Sequence, residues 1–205
     1  TQASGGTSIG TTPLSVSPTT TTTYYVEADD NNNPGCVSAR GSVTVTVVQP
    51  PANVGAISGP TAPCVGASNY SISAVNGATS YSWAVSGGGN VTSTTTSATV
   101  NWTTAGGPYT ITVTATNSCG NKTATLAVNV LGSVANVNAT ASPNPACAGG
   151  TLTLTGAGDN VSTWSWSGPG SFTAATQNAS RPNLTVAHSG AYTLTASNSC
   201  NSLTS

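Results

Sequence analysis

Six pairs of landmarks in this chain stand 83 positions apart: Cys36 and Cys119, Val45 and Val128, Pro60 and Pro143, Cys64 and Cys147, Trp83 and Trp166, Tyr109 and Tyr192. A fixed period of this length means tandem copies of one folding unit. The last pair opens the clearest copies, Pro108-Tyr109-Thr110-Ile111-Thr112-Val113-Thr114-Ala115-Thr116-Asn117-Ser118-Cys119 and Gly190-Ala191-Tyr192-Thr193-Leu194-Thr195-Ala196-Ser197-Asn198-Ser199-Cys200. A fainter copy runs from Tyr24 through Val26 and Ala28 to Cys36. Each begins at a tyrosine, alternates apolar with polar residues, and ends in a loop carrying a cysteine. Alternation of period two is the mark of a strand with one buried face.

The chain of 205 residues holds about two and a half such periods. The expected division is residues 1–48 as the C-terminal half of one repeat, 49–131 as a complete repeat, and 132–205 as a repeat lacking its last strand. Such a division makes the sequence a window on a longer array. Gln49-Pro50-Pro51 and Leu131-Gly132-Ser133 are the linkers, the first stiffened by two prolines without backbone donors. Residues 14–16 read as a short strand and Ser42-Val43-Thr44-Val45-Thr46-Val47 as the last strand of the first repeat. In the second repeat, strands are expected at residues 70–72, 81–85, around Val100 and Trp102, from Tyr109, and at 126–130. In the third they are expected around Leu152 and Leu154, Trp164 and Trp166, Leu184 and Val186, and from Tyr192. The fold class is therefore all-β.

Only 3% of the residues are charged and the net charge is −1, against roughly 25% charged residues in an average soluble domain. Three basic residues, Arg40, Lys122 and Arg181, cannot neutralise a run of phosphates, which argues against nucleic acid and anionic membranes as partners. No segment reaches the length of a membrane-spanning helix. A Ser-His-Asp triad would need His188, the single histidine, held between a nucleophile and an acid, and no acid is near it in sequence. Glycoside hydrolysis needs two opposed carboxylates, and the four acids are Glu27, Asp29, Asp30 and Asp159. No catalytic residue, metal or cofactor is assigned. Asp29 and Asp30, in the loop Asp29-Asp30-Asn31-Asn32-Asn33-Pro34-Gly35-Cys36, are the sole candidate calcium ligands, and the same residues make an ordinary polar loop. Gly87-Gly88-Gly89-Asn90 is a turn without the flanking strand and helix of a phosphate loop. Eight Asn-x-Ser/Thr sequons make the chain compatible with glycosylation.

His188-Ser189-Gly190-Ala191-Tyr192 resembles the Asp-Ser-Gly-x-Tyr corner of immunoglobulin domains. This implies tandem immunoglobulin-like β-sandwiches, end to end. Tyr24, Trp83, Trp102, Tyr109, Trp166 and Tyr192 are then core residues, and Tyr81 faces inward. Leu194 falls where those domains place a buried cysteine, so the usual inter-sheet disulfide is replaced by packing. Tyr25 and Trp164 are the candidate exposed aromatics for a ligand such as a glycan.

Five cysteines without a CxxC pair read as disulfides of an oxidising compartment. The shortest gap between them is 28 residues, far from zinc-ligand spacing. Two pairings are open. Within repeats, Cys64 would join Cys119 and Cys147 would join Cys200. Between repeats, Cys64 would join Cys200. In a sandwich of this kind the first turn and the last loop lie at opposite ends, roughly 23 Å apart for a seven-residue strand. A disulfide accepts only about 4.4–6.8 Å between Cα atoms. The tail of one repeat abuts the head of the next, which favours the second pairing. By the same offset Cys119 and Cys36 would take partners before residue 1, and Cys147 one beyond residue 205.

Leu14-Ser15-Val16-Ser17-Pro18-Thr19-Thr20-Thr21-Thr22-Thr23-Tyr24-Tyr25-Val26 resembles the Ig-like repeats of very large secreted surface proteins of Bacteroidetes. The span from Ile57-Ser58-Gly59-Pro60 through Ala115-Thr116-Asn117-Ser118-Cys119-Gly120 is similar to the PKD-like repeats of the same proteins. The resemblance implies export by the type IX route and a role in adhesins, gliding filaments or the stalks of secreted enzymes. Two functions follow as expectations. One is a non-enzymatic structural or adhesive segment at the cell surface, whose partners are neighbouring repeats, a lateral copy and a surface ligand. The other is a carbohydrate-binding accessory or spacer of a secreted glycoside hydrolase.

Overall fold

The computed structural model describes residue 10, residues 13–29, residue 32 and residues 36–205. Their contacts form two compact units. One comprises the described residues up to Asn53 with Val75–Ser80 and Ala115–Lys122; the other comprises Val54–Ala74, Tyr81–Thr114 and Thr123–Ser205.

In the first unit, β1 (Thr22–Val26) pairs antiparallel with β2 (Gly41–Val45), Tyr24 lying opposite Val43. Glu27 and Arg40 clamp the end of the ribbon from which the connecting loop leaves, with two hydrogen bonds, one of them 3.0 Å from Nη2 to Oε1. Two strands alone cover little apolar surface. Val26 and Val43 are accordingly exposed, and Tyr24 is half-buried, not the core residue expected from its place in the repeat. Residues 14–16 are not a strand; with prolines at positions 13 and 18 on either side, their leucine and valine stay exposed.

The second sandwich comprises β3 (Gly66–Ser71), β4 (Ser80–Val85), β5 (Gly89–Ser93), β6 (Ser97–Trp102), β7 (Gly106–Asn117) and β8 (Gly120–Val130). Its sheets run β3-β6-β5 and β4-β7-β8, the two-sheet division of an immunoglobulin constant-type domain. Alternation along β7 puts Ile111, Val113 and Ala115 fully inside. Trp83 and Trp102 are buried, and each indole N–H is satisfied: Trp83 Nε1 donates to the Thr95 carbonyl at 3.2 Å, Trp102 Nε1 to the Tyr70 hydroxyl at 3.2 Å. Tyr109 stacks on Trp102 at 5.8 Å. The glycine run has a steric purpose. At Gly88 (φ +73°) a Cβ would fall 2.3 Å from the Tyr109 ring, so only glycine lets the chain pass beneath it.

The third sandwich comprises β9 (Ala135–Ser142), β10 (Leu152–Asp159), β11 (Thr163–Gly168), β12 (Phe172–Ala174), β13 (Asn178–Arg181), β14 (Thr193–Ser197) and β15 (Ser202–Thr204). Its sheets run β13-β10-β9 and β12-β11-β14-β15. Its fourth strand, β12, pairs with β11, whereas β5 of the second sandwich lies on the opposite sheet. Where the repeat was expected to lack a last strand, Ser202–Thr204 pair with β14. Leu152, Leu154, Trp166, Leu184 and Leu194 form the core. Leu194 is fully buried, so packing does fill the place of the missing inter-sheet cysteine. Tyr192 is half-buried; its hydroxyl donates to the His188 carbonyl at 3.2 Å, which is the corner geometry that its sequence resembles. The buried Arg181 lies over Phe172 and Tyr192, at 5.3 and 5.9 Å from the ring centroids, and donates to the Pro169 carbonyl and the Tyr192 hydroxyl.

Two strand expectations shift here. The fifth strand is Asn178–Arg181, and the stretch after Leu184 is a short 3-10 turn, Val186–His188, with Val186 87% exposed. Trp164, expected to face solvent, is half-buried and packs against the core. It lies on the same face of β11 as Trp166.

Replacing Trp83 or Trp166 by alanine should cost about 3–5 kcal/mol, read by urea unfolding; replacing Trp164 should cost less. A pH response is expected in the ribbon. Hydrogen bonds from Arg40 hold the Glu27 carboxyl below its ordinary value. The stabilisation of that pair is therefore complete at neutral pH and is lost as pH falls through the lowered value. NMR shifts of Thr22–Val26 and Gly41–Val45, followed from pH 7 downward, should show that loss, and Glu27→Gln should reproduce it at pH 7.

Candidate functional site

The geometry that stands out is a joint between sandwiches, not a cleft. Turn residues 60–65 of the second sandwich are zipped to the end of β8. Asn129 N donates to the Thr61 carbonyl (2.9 Å), Leu131 N to Pro63 (2.7 Å) and Val65 N to Leu131 (3.3 Å). This sets Cys64 beside the linker in a parallel bridge with Leu131.

The opposite half of the joint is the loop after β14. Asn198 Nδ2 donates to the linker carbonyl of Gly132 and to the carbonyl of Asn160, both at 2.8 Å. Its Oδ1 accepts from the backbone N–H of Cys200 at 2.8 Å. Asn201 fixes Val134 in both senses, accepting from its N–H (2.6 Å) and donating to its carbonyl (3.2 Å). Val134 is buried. Held in this way, Cys200 meets Cys64 in a disulfide with a Cα–Cα distance of 5.6 Å, across 136 positions of sequence. The bond joins two successive sandwiches. It excludes the within-repeat alternative, because Cys64 is no longer available to Cys119 nor Cys200 to Cys147.

The asparagines were missed in the sequence. Their signal is an Asn-Ser-Cys triplet at the end of both clear copies, Asn117-Ser118-Cys119 and Asn198-Ser199-Cys200. An asparagine in a polar loop does not announce that its amide will bind two segments remote in sequence.

Catalytic groups are not brought together among the described residues. His188 Nδ1 accepts from the Thr185 backbone N–H at 3.3 Å in the 3-10 turn. Asp159 accepts from Asn136 Nδ2 at 2.6 Å, and Glu27 holds Arg40. Asp29 bridges to Val37 through its backbone; Asp30 lies outside the described residues. No group of three potential metal ligands occurs among the described residues. Trp83, Trp102 and Trp166 are all buried, Tyr81 and Tyr109 are half-buried, and Tyr25 is 38% exposed. No helix among the described residues is long and apolar enough to cross a membrane.

Residues 50–130 match the PKD-like domain. That span is thus similar to PKD-like domains, and the fold of the chain is that of immunoglobulin-like sandwiches. Solved structures of tandem immunoglobulin domains are similar to it. A titin fragment, domains I67–I69, matches 90% of this chain and 72% of its own length at a TM-score of 0.55 and 14% identity. The eight N-terminal Ig domains of Down Syndrome Cell Adhesion Molecule match 90% of this chain and 30% of their own length, at 0.54 and 14%. Extracellular domains 3–5 of Drosophila OTK match 82% and 66%, at 0.51 and 14%. At such identities the likeness is one of fold. No curated protein sequence matches.

Replacing Asn198 by alanine removes the donor from the part-buried Gly132 carbonyl and from the exposed Asn160 carbonyl and should cost about 1 kcal/mol. Asn198→Asp keeps the acceptor for Cys200 N but loses both donors, so it should cost nearly as much. Thermal unfolding of the oxidised and reduced protein would read both.

Proposed function

We propose that this chain is a non-enzymatic structural and adhesive repeat segment of a long extracellular surface protein. The observation that carries the reading is the Cys64–Cys200 bond, which ties one sandwich to the next. A covalent joint between repeats is of use where the relative placement of repeats matters, and it requires an oxidising space. A surface of Ser, Thr, Asn and Gly with 3% charged residues supports the same reading, since its interactions change little with salt. One structural neighbour bears the name of a cell adhesion molecule, and tandem repeats that contact chiefly their neighbours build elongated objects. Bacteroidetes origin, type IX export and membership of a filament belong to this proposal, on the resemblance of residues 14–26 and 57–120. So do the division at residues 48 and 131, the neighbouring repeats as partners, lateral self-association and a glycan or surface ligand.

The carbohydrate-binding alternative needs a row of exposed aromatic rings. Trp83, Trp102 and Trp166 are buried and, of the two candidates, Trp164 packs against the core, which leaves Tyr25, so the structural reading is preferred.

Small-angle scattering and electron microscopy of the oxidised chain should give an extended, rod-like particle. A compact globule would overturn the array.

A further inference from the structure

The asparagine half of the joint is present a second time. Asn117 Nδ2 donates to the carbonyls of Gln49 (2.7 Å) and Gly77 (2.8 Å), and its Oδ1 accepts from Cys119 N at 2.8 Å. Gln49 and Gly77 are 83 positions before Gly132 and Asn160, the partners of Asn198. The Cys119 sulfur lies 3.0 Å from the Val48 carbonyl, and the Cys200 sulfur 4.0 Å from that of Leu131, again 83 positions on. Cys119 is therefore presented to the same linker position as Cys200.

The other half recurs too. Gly66, two residues after Cys64, pairs with Trp102. Gly149, two residues after Cys147, donates its N–H to the Leu184 carbonyl at 2.7 Å, and Leu184 N returns a bond to Gly150. Leu184 is the buried counterpart of Trp102, so Cys147 occupies the same end of its sandwich as Cys64. It is exposed. Beside it lies an open cavity of about 400 Å³, lined by Pro143, Pro145, Leu152, Val186 and Tyr192 among others. The equivalent turn in the second sandwich is the one that receives a neighbour through Cys64. The repetition is informative because the equivalent pair, Cys64 and Cys200, is bonded in this same structure.

We propose that Cys119 and Cys147 are two further half-staples. Cys119 takes a cysteine in a Pro-x-x-x-Cys turn, the pattern of Pro60 to Cys64 and Pro143 to Cys147. Cys147 takes a cysteine in an Asn-x-Cys loop. Both partners belong to other sandwiches of this class, so the inference rests on the array reading. The chemistry is thiol–disulfide exchange. One thiolate attacks the disulfide of a dithiol oxidant, giving a mixed disulfide, and the partner thiolate resolves it. The oxidant leaves as the dithiol, having taken two electrons and the two protons released.

The test uses the full protein from its native source, alkylated before extraction, digested without reduction and mapped by mass spectrometry. The expected result is Cys119 bonded to a peptide containing Pro-x-x-x-Cys, and Cys147 bonded to one containing Asn-x-Cys. Recovery of either as an alkylated thiol, as a Cys119–Cys147 bond, or as an adduct of a small thiol overturns the proposal. Micrographs of the same preparation separate the two ideas. Extended particles with alkylated thiols overturn the staples and leave the array standing. Compact particles with bonded cysteines do the reverse.

Discussion

Close packing against a buried indole is what the two sandwiches depend on. An immunoglobulin-type core usually has a disulfide between its sheets; here Leu194 and its partners Leu152, Leu154 and Trp166 fill that space. Trp166 can serve because its one polar atom is satisfied, Nε1 donating to the Gln177 carbonyl at 3.1 Å. Trp83 repeats the device with Thr95. With charge nearly absent, no electrostatic network shares the task, and dispersion within a dense interior bears it. The single buried cation, Arg181, fits the same logic, lodged between aromatic faces and neutral acceptors in place of a carboxylate.

The disulfide Cys64–Cys200 thus lies at a joint and not in a core. A disulfide inside a sandwich secures a unit that hydrophobic packing already secures. A disulfide between sandwiches secures what packing of small polar surfaces cannot. The asparagine clamps complement it. Asn198 and Asn201 tie the linker by neutral hydrogen bonds, which keep their strength across the pH range in which a carboxylate or histidine would titrate.

What could be read from sequence followed period. The offset of 83 residues located Trp83, Trp166, Tyr109 and Tyr192 in equivalent places, and alternation found β7 and β14. Topology also pointed to Cys64 with Cys200, since only the ends of adjacent sandwiches lie within disulfide reach. The misreadings have local causes. Leu184 and Val186 share the parity of a strand, yet the chain there turns through a 3-10 segment and Val186 faces solvent. Trp164, expected to face solvent, shares the parity of Trp166 on β11 and packs against the core with it. Tyr24 follows the repeat but lies in a ribbon that does not bury it. The asparagine clamps escaped for a different reason, because hydrogen bonding to remote carbonyls leaves no periodic trace.

The position of the Cys64–Cys200 bond alters the covalent path through the molecule. Tension that arrives from the N-terminal side reaches Cys64, crosses two sulfur atoms, and continues from Cys200. The chain between them, a separation of 136 positions, forms a closed loop outside the stretched path. Fully drawn out, a chain of that length would add roughly 450–490 Å. The bond withholds all of it, whether the strands inside the loop are folded or not. Rupture of the hydrogen-bonded sheets in that loop therefore cannot lengthen the tether. Between Cys64 and Cys200, extensibility is set by the reduction state of one bond and not by the mechanical strength of the strands in the loop.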